Sequence, residues 1–227
     1  MAPPSLPRFV DQLITELIAC HDPNASIDDA RDAQAQNFLS TIAGPQLAQA
    51  KSLMLTLHCL FPNDLLPALD ILDRRLVRRL VRADRTMADQ RPRTEDTEDI
   101  FLVMSASSIP QPGASSTTHV PEKGYEVRLD AWNCTCPTFT LSAFRDLQTR
   151  ASLPVESPSN PDMWWDQDEP RRYPFGGTLA CAIDLASPPV CKHVLASLLF
   201  ARSPQLGGRG ENLCLVSAEE LAGWCAG

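Results

Sequence analysis

The chain lacks the excess of basic residues that most nucleic-acid-binding proteins carry. Its formal net charge is −8 at pH 7, so a contact with DNA would need a local basic surface or a partner protein. It also lacks an apolar run of about 20 residues, the length that a helix needs to cross a bilayer. Residues 1–8 contain no basic start followed by an apolar core, so we expect no secretory signal. The sequence therefore predicts no membrane partner.

The motifs of common enzyme classes are missing as well. The sequence has no glycine-rich phosphate-binding loop, so we expect no nucleotide site. It has no group of carboxylates with the spacing of a catalytic pair. His58 and Cys59 are neighbours, but adjacent residues on a helix point in different directions and would not form a catalytic pair. These absences predict a protein that is not an enzyme.

The eight cysteines are the most informative residues that are present. Without export, we expect thiols and metal ligands rather than disulfides. Four residues form two short pairs, C-T-C at Cys134 and Cys136 and C-K-H at Cys191 and His193. Three thiolates and one imidazole complete a tetrahedral shell for Zn²⁺ and leave no position for water or substrate. The pattern therefore predicts one structural zinc ion.

Two alternatives to this ligand set stay open. Cys181 could replace one of the ligands, although its apolar neighbours favour a buried thiol. The four residues could also be ordinary core residues, three small buried thiols and one hydrogen-bonded histidine. The remaining cysteines lie in apolar runs and are expected to pack in the core: Cys20, Cys59, Cys214 and Cys225.

Apolar periodicity predicts helices in about the first 85 residues. The first helix is predicted from a stripe at helical spacing: Val10, Leu13, Ile14, Leu17 and Ile18. A second helix is predicted from Leu47 to Leu60 and stops before Pro62. A third helix, capped by Asn63, is predicted to carry one continuous stripe: Leu65, Leu69, Leu72, Leu76 and Leu80.

Arginines crowd the third predicted helix. They would stack in one row at i, i+4 and i+8, with two more beside them: Arg74, Arg78 and Arg82, then Arg75 and Arg79. Such a row could contact DNA phosphates directly, or it could meet an acidic partner surface. A solvated face opposite the leucine stripe is the third interpretation.

Strands and further helices are predicted in the second half of the chain. Residues 100–104 form a short apolar run that is typical of a buried strand. Residues 125–129 alternate between apolar and charged side chains, which predicts a half-buried strand that leads to Cys134. Residues 138–147 predict a short helix, and C-K-H opens an apolar helical run that reaches residue 200.

The carboxy-terminal residues predict a strand and a helix. Residues 212–216 have the apolar character of a short strand. Ser217 and Glu220 have the spacing of a capping box, in which each residue satisfies a backbone N–H of the other. These apolar residues need a surface to pack on, either the core or a partner.

The predicted fold class is α+β, with a helical amino-terminal part followed by a zinc-bound β-hairpin and helix module. We place the boundaries as follows: a helical region at 1–88, a linker at 89–99, a zinc-finger domain at 100–205 and a tail at 206–227. The finger contains a Pro-rich acidic insertion at about 150–175. Trp164 and Trp165 in this insertion are either a partner contact or an anchor to the core.

The order C-x-C, a gap, then C-x-H resembles the SWIM-type zinc finger. Residues 137–190 form the gap, which is long for a finger of this type. The resemblance extends beyond the ligand pairs to the SWIM proteins of the Shu complex in their fungal form. It covers three segments: N-C-T-C-P-T-F-T-L-S-A-F at 133–144, F-G-G-T-L at 175–179 and C-K-H-V-L-A-S-L-L at 191–199. The resemblance implies that Cys134, Cys136, Cys191 and His193 are the zinc ligands.

The resemblance also implies a function that composition and spacing do not. It implies a nuclear accessory factor in DNA repair by homologous recombination, without enzymatic activity. Such proteins pair with RecA-like recombinase paralogues and promote assembly of the recombinase filament on single-stranded DNA. Two other functions stay open: a zinc-finger protein that binds DNA directly, and an accessory of the SWIM-containing ubiquitin ligases or transposase-like proteins. The latter carry further domains, and this sequence has no second cysteine–histidine cluster.

Overall fold

The fold combines helices with one mixed sheet, which confirms the predicted α+β class. The computed structural model describes these parts of the chain: residues 5–20, 42, 44–82, 99–105, 124–151, 173–182, 187–203, 213–217, 219–220 and 223. The helices are α1 (Leu6–Ala19), α2 (Pro45–Leu60), α3 (Leu65–Asp73), α4 (Pro137–Ala151), α5 (Gly177–Ala182) and α6 (Lys192–Arg202). The strands are β1 (Val77–Arg82), β2 (Ile100–Met104), β3 (Gly124–Arg128), β4 (Asn133–Cys134) and β5 (Leu213–Val216). Among the described helices, none combines the length and the apolar character that crossing a bilayer requires.

The first two helices form where the periodicity predicts them. Four of the five residues in the predicted α1 stripe are buried, namely Val10, Leu13, Ile14 and Leu17, and Ile18 is partly buried. The same face of α1 also buries the carboxylate of Asp11, a charge whose partners are described below. The second helix ends at Leu60, two residues before Pro62.

The prediction of a third helix that continues to Leu80 is wrong. The helix starts after Asp64 rather than after Asn63 and ends at Asp73. Arg75 then adopts a left-handed backbone with φ of 53°. The Leu76 N–H donates to the Ile71 carbonyl, and the Arg75 N–H donates to the Leu72 carbonyl. These two bonds form a Schellman motif, which usually has glycine at the left-handed position.

The predicted helical row of arginines is therefore wrong too. Arg78, Arg79 and Arg82 lie on β1, where neighbouring side chains alternate between the two faces of the sheet. Arg79 forms an ion pair with the buried carboxylate of Asp99. Arg74 is exposed and forms an ion pair with Asp70 at 3.6 Å. DNA binding by these arginines stays a prediction. The helix face on which it was based does not exist, because three of the arginines lie on a strand.

The strands follow the order β4-β3-β2-β1-β5. The pairs β1–β2, β2–β3 and β3–β4 are antiparallel, and β5 lies parallel to β1. The strand β1 comes from the predicted helical region and pairs with β2 of the predicted finger domain. One sheet thus crosses the predicted linker, while the domain boundaries themselves stay a prediction.

The core lies between the sheet and α6. The register places Val103, Phe101 and Val127 on one face, and all three are fully buried. The Phe101 ring meets the Phe200 ring of α6 edge-on, with centroids 6.3 Å apart. From Val194 to Phe200 every residue of α6 is buried, because α3 also packs on this helix. Packing against the sheet and α3 therefore holds the helix that begins with the C-K-H pair in place.

The carboxy-terminal strand packs on the core. Leu80 and Arg82 of β1 pair with Cys214 and Val216, and Val216 is buried. The predicted capping box is confirmed: the Ser217 N–H donates to the Glu220 carboxylate at 2.8 Å, and the Glu220 N–H donates to the Ser217 hydroxyl at 3.1 Å.

Candidate metal centre

The C-T-C pair is delivered by the β3–β4 hairpin. Cys134 pairs with Val127 across the hairpin. Thr135 continues the pairing, since its N–H donates to the Glu126 carbonyl and its hydroxyl accepts the Glu126 N–H, both at 3.0 Å. Because side chains alternate along an extended chain, Cys134 and Cys136 on either side of Thr135 point to the same face. The single intervening residue therefore places two thiols side by side.

The start of α4 holds the second thiol. Cys136 immediately precedes Pro137, the first residue of α4, and its carbonyl accepts the Thr140 N–H at 3.1 Å. Its Sγ accepts the Phe139 N–H at 3.3 Å, and the Sγ of Cys134 accepts the Cys136 N–H at 3.4 Å. N–H groups at a helix start favour negative charge, so this position favours a thiolate.

The C-K-H pair stands at the start of α6. Cys191 is the N-cap residue, with the extended backbone typical of that position. His193 lies in the first turn of the helix and is 7% exposed. Its ring packs on the Tyr125 ring, with centroids 4.5 Å apart. Two helix starts, those of α4 and α6, thus meet at one cluster of side chains.

The four predicted ligands come together in one buried cluster. Their candidate ligand atoms all lie within 4.8 Å of one another. The His193 Nδ1 is 3.9 Å from the Cys134 Sγ and 4.0 Å from the Cys191 Sγ. In a tetrahedral zinc site, bonds of about 2.3 Å to sulfur and about 2.0–2.1 Å to nitrogen place these atoms about 3.6 Å apart. The cluster is therefore compatible with one metal ion after a small contraction.

Without a cation, the three buried thiols compete for a single negative charge. Hydrogen bonds from the Cys134 and Cys191 thiols lower the pKa of Cys136. Donating to Cys136 raises the pKa of the Cys134 thiol. A hydrogen bond with Cys134 lowers the pKa of Cys191, but Cys136 and burial outweigh it and raise that pKa to about 12. A divalent cation would remove this competition, because it stabilises all three thiolates together.

A carboxylate lies beside the cluster at the start of α6. Asp64 accepts a hydrogen bond from the Lys192 backbone N–H, and its charge interacts with Cys136 and His193. Burial raises the pKa of the Asp64 carboxyl, and the Lys192 N–H opposes that rise. No sequence pattern predicted that Asp64 lies near the cluster. The residue follows Asn63, which was the predicted cap of the third helix.

A buried tryptophan connects the two ligand pairs. Trp132 is 1% exposed and precedes β4, and its indole N–H donates to the Pro189 carbonyl at 2.8 Å. Pro189 lies two residues before Cys191. Trp132 thus ties the strand that carries Cys134 to the segment that leads into Cys191. No local pattern in the sequence marks it.

The F-G-G-T-L segment packs on the turn before β4. Phe175 meets Trp132 edge-on, with ring centroids 4.9 Å apart. Gly177 lies so close to the turn that a Cβ atom there would be 2.5 Å from the carbonyl oxygens of Leu129 and Asp130. The Thr178 N–H donates to the Asp130 carbonyl at 2.8 Å. The segment therefore supports the hairpin from outside.

The other cysteines have mixed environments. Cys20 is buried as predicted, and Cys214 is partly buried. Cys59 is exposed on α2, so its predicted place in the core is wrong. The side chains of Cys181 and Cys225 lie outside the described residues, as do Trp164, Trp165 and most of the predicted insertion. Within the described residues, no other group of three or more potential ligands is close enough to hold a metal ion.

Comparisons with known proteins do not extend these observations. No protein-family model, no curated protein and no solved structure matches the chain.

Proposed function

We propose that the chain binds one structural zinc ion through Cys134, Cys136, Cys191 and His193 as a SWIM-type finger. The observation that carries this proposal is the closeness of four buried ligand atoms, within 4.8 Å of one another, at the meeting point of two helix starts. Thiolate and imidazole are ligands that zinc prefers. Metal analysis of the reduced protein tests it: we expect one zinc per chain, and a metal-free folded protein would refute it.

The zinc ion would supply cohesion rather than catalysis. The four residues fill a tetrahedral shell, which leaves no position for a substrate or an attacking water. The ion would hold the hairpin against α6 and would fix the start of α4 through Cys136. We therefore propose a non-enzymatic protein whose metal orders a surface for a partner.

We further propose that this partner is a RecA-like recombinase paralogue and that the heteromer assists recombinase filament assembly in the nucleus. The sequence resemblance to Shu-complex SWIM proteins is what supports this function. It resides in three segments that are far apart in sequence, at 133–144, 175–179 and 191–199. These segments meet around the candidate metal centre, since Phe175 packs on Trp132 and His193 faces Cys134. Segments that together surround one metal centre are expected to resemble the same family together, and this supports the proposal.

The surface of α4 is the best place for this partner to bind. Phe139 is buried and anchors the helix next to the cluster. Leu141 and Phe144, three residues apart on the same helix, are 60% and 61% exposed. Residues at this spacing are neighbours on a helix surface. They form an apolar patch whose position depends on Cys136, and hence on the metal.

Replacing both exposed residues tests this surface. We expect Leu141→Ser with Phe144→Ser to lower recovery of the recombinase paralogue by about 10-fold or more, because buried apolar anchors dominate most interfaces. The measurement is co-purification from cells with mass spectrometry. Zinc content should stay at that of the unmodified protein.

The matched control is Leu55→Ser. Leu55 is 65% exposed on α2, so this change also removes an exposed leucine. It should leave both partner recovery and zinc content unchanged. Full recovery of the paralogue by the double variant on α4 would contradict the proposed surface.

A further inference from the structure

The carboxylate of Asp11 ties α1 to the far end of the helix that begins at the metal centre. Its Oδ1 is 2.8 Å from the Arg202 Nη1 and accepts the Phe175 N–H at 3.0 Å. The side chains of Arg202 and Asp11 are 8% and 9% exposed. Arg202 is the last residue of α6, whose first turn contains His193. The pair therefore joins an amino-terminal helix to the element that supplies half of the ligand set.

The same carboxylate also reaches the other half of the ligand set. Phe175, whose N–H it accepts, packs on Trp132. Trp132 precedes β4, which contains Cys134, and its indole donates to the Pro189 carbonyl. One buried charge thus holds two elements, the end of α6 and the Phe175 segment, that position the two ligand pairs.

Because the charge of Asp11 is buried, it is sensitive to the position of both partners. A carboxylate removed from water is stabilised only while its partners are in place, and loss of one partner leaves an uncompensated charge. Burial of Asp11 is therefore most favourable when the end of α6, which supplies the charge partner, and the Phe175 segment, which supplies an N–H donor, both hold their positions. The same two positions are those that bring Cys134 and His193 together.

We infer that Asp11 is a positioning residue of the metal centre, through which docking of α1 and binding of the metal stabilise each other. The inference rests on the proposed zinc site. It goes beyond it, because it places a determinant of metal retention in a helix that contains no ligand. Zinc should leave faster when Asp11 is neutralised, and α1 should loosen when zinc is removed.

The first experiment measures zinc transfer from the full chain to an excess of a chromophoric chelator. We expect Asp11→Asn to raise the first-order rate by about 10-fold, because loss of the carboxylate leaves the buried Arg202 charge uncompensated. Val216→Ala is the matched control, because Val216 is buried on β5, at the edge of the sheet opposite to β4 and Cys134. It should lower the melting temperature yet leave the transfer rate within about twofold, as distant sites act independently.

A rescue variant separates positioning from general destabilisation. Asp11→Asn combined with Arg202→Gln removes both charges and leaves a neutral hydrogen-bonding pair, so the transfer rate should return toward that of the unmodified protein. With Co²⁺ as the probe, Asp11→Asn should shift the visible absorption bands of the tetrahedral site, whereas Val216→Ala should not.

The second experiment uses the unmodified protein and needs no variant to fold. Hydrogen exchange of residues 5–20 is compared with zinc bound and after chelation, and we expect α1 to lose protection together with α6. Unchanged protection of α1, or an Asp11→Asn protein that releases zinc at the normal rate, would overturn the inference while leaving the zinc site intact. A chain that binds no zinc at all would overturn both.

Discussion

Replacing Cys134 by serine should abolish the proposed zinc binding and remove a large part of the stability of the protein. A serine hydroxyl does not replace a thiolate as a zinc ligand at neutral pH, and the remaining two thiols and imidazole would face a buried polar atom. Binding to the folded state alone stabilises by about 4 kcal/mol when free zinc is a thousand times the dissociation constant. We expect Cys134→Ser to lose at least this amount.

Two measurements check this result together. Metal analysis should give one zinc per chain for the unmodified protein and none for Cys134→Ser. Urea unfolding with zinc present should then show the loss of free energy, and chelation of the unmodified protein should reproduce it. Cys59→Ser is the control, because Cys59 is exposed on α2 and outside the cluster. Retention of one zinc by Cys134→Ser would refute the ligand assignment.

Recovery of the proposed partner, a recombinase paralogue, should fall with zinc content in the same variant. The apolar patch of Leu141 and Phe144 depends on the start of α4, where Cys136 holds the helix to the cluster. Without the ion, the positions of α4 and α6 are no longer linked through a shared atom. Partner binding by metal-free Cys134→Ser would show that the two properties are independent.

The local pattern was sufficient to predict α1, α2, β2 and β3: helical spacing of apolar residues indicates α1 and α2, an unbroken apolar run indicates β2, and apolar–charged alternation indicates β3. It failed at the junction of α3 and β1 for a physical reason. Residues four apart share a face both on a helix and on a strand, so Leu76 and Leu80 extend the leucine stripe although they are buried in the region of β1. The usual stop signal was also missing, because Arg75 rather than glycine takes the left-handed position.

The candidate metal cluster was predictable from the sequence, but the contacts that support it were not. The C-T-C and C-K-H pairs place ligands one residue apart, so the chemistry is visible in the local sequence. Trp132 and Pro189 are 57 residues apart in the chain, and Asp11 and Phe175 are 164 apart. Such contacts depend on the complete fold. Asp11 did leave one signal, a charge on the apolar face of α1, which an amphipathic pattern does not explain.

Replacing Gly177 by alanine should cost about 2–5 kcal/mol of stability, by two separable effects. The left-handed backbone of Gly177, with φ of +50°, costs a residue with a Cβ atom about 1–2 kcal/mol. The new Cβ would also be 2.5 Å from the carbonyl oxygens of Leu129 and Asp130. Relieving such overpacking costs about 1–3 kcal/mol. Neither oxygen can move away freely, because both belong to the backbone turn that leads to Trp132 and Cys134.

Gly44→Ala separates the two effects. Gly44 also has a positive φ, +67°, but its ψ of −144° places it in a different region that favours glycine, and a Cβ atom there would have no neighbour within 4 Å. Urea unfolding of the zinc-loaded proteins should therefore show a loss of about 1–3 kcal/mol for Gly44→Ala, from backbone strain alone, and a larger loss for Gly177→Ala. Zinc transfer to a chelator should be faster only for Gly177→Ala, since the displaced turn precedes Cys134. Equal losses in the two variants would mean that the close approach of Gly177 to the hairpin does not support the metal centre.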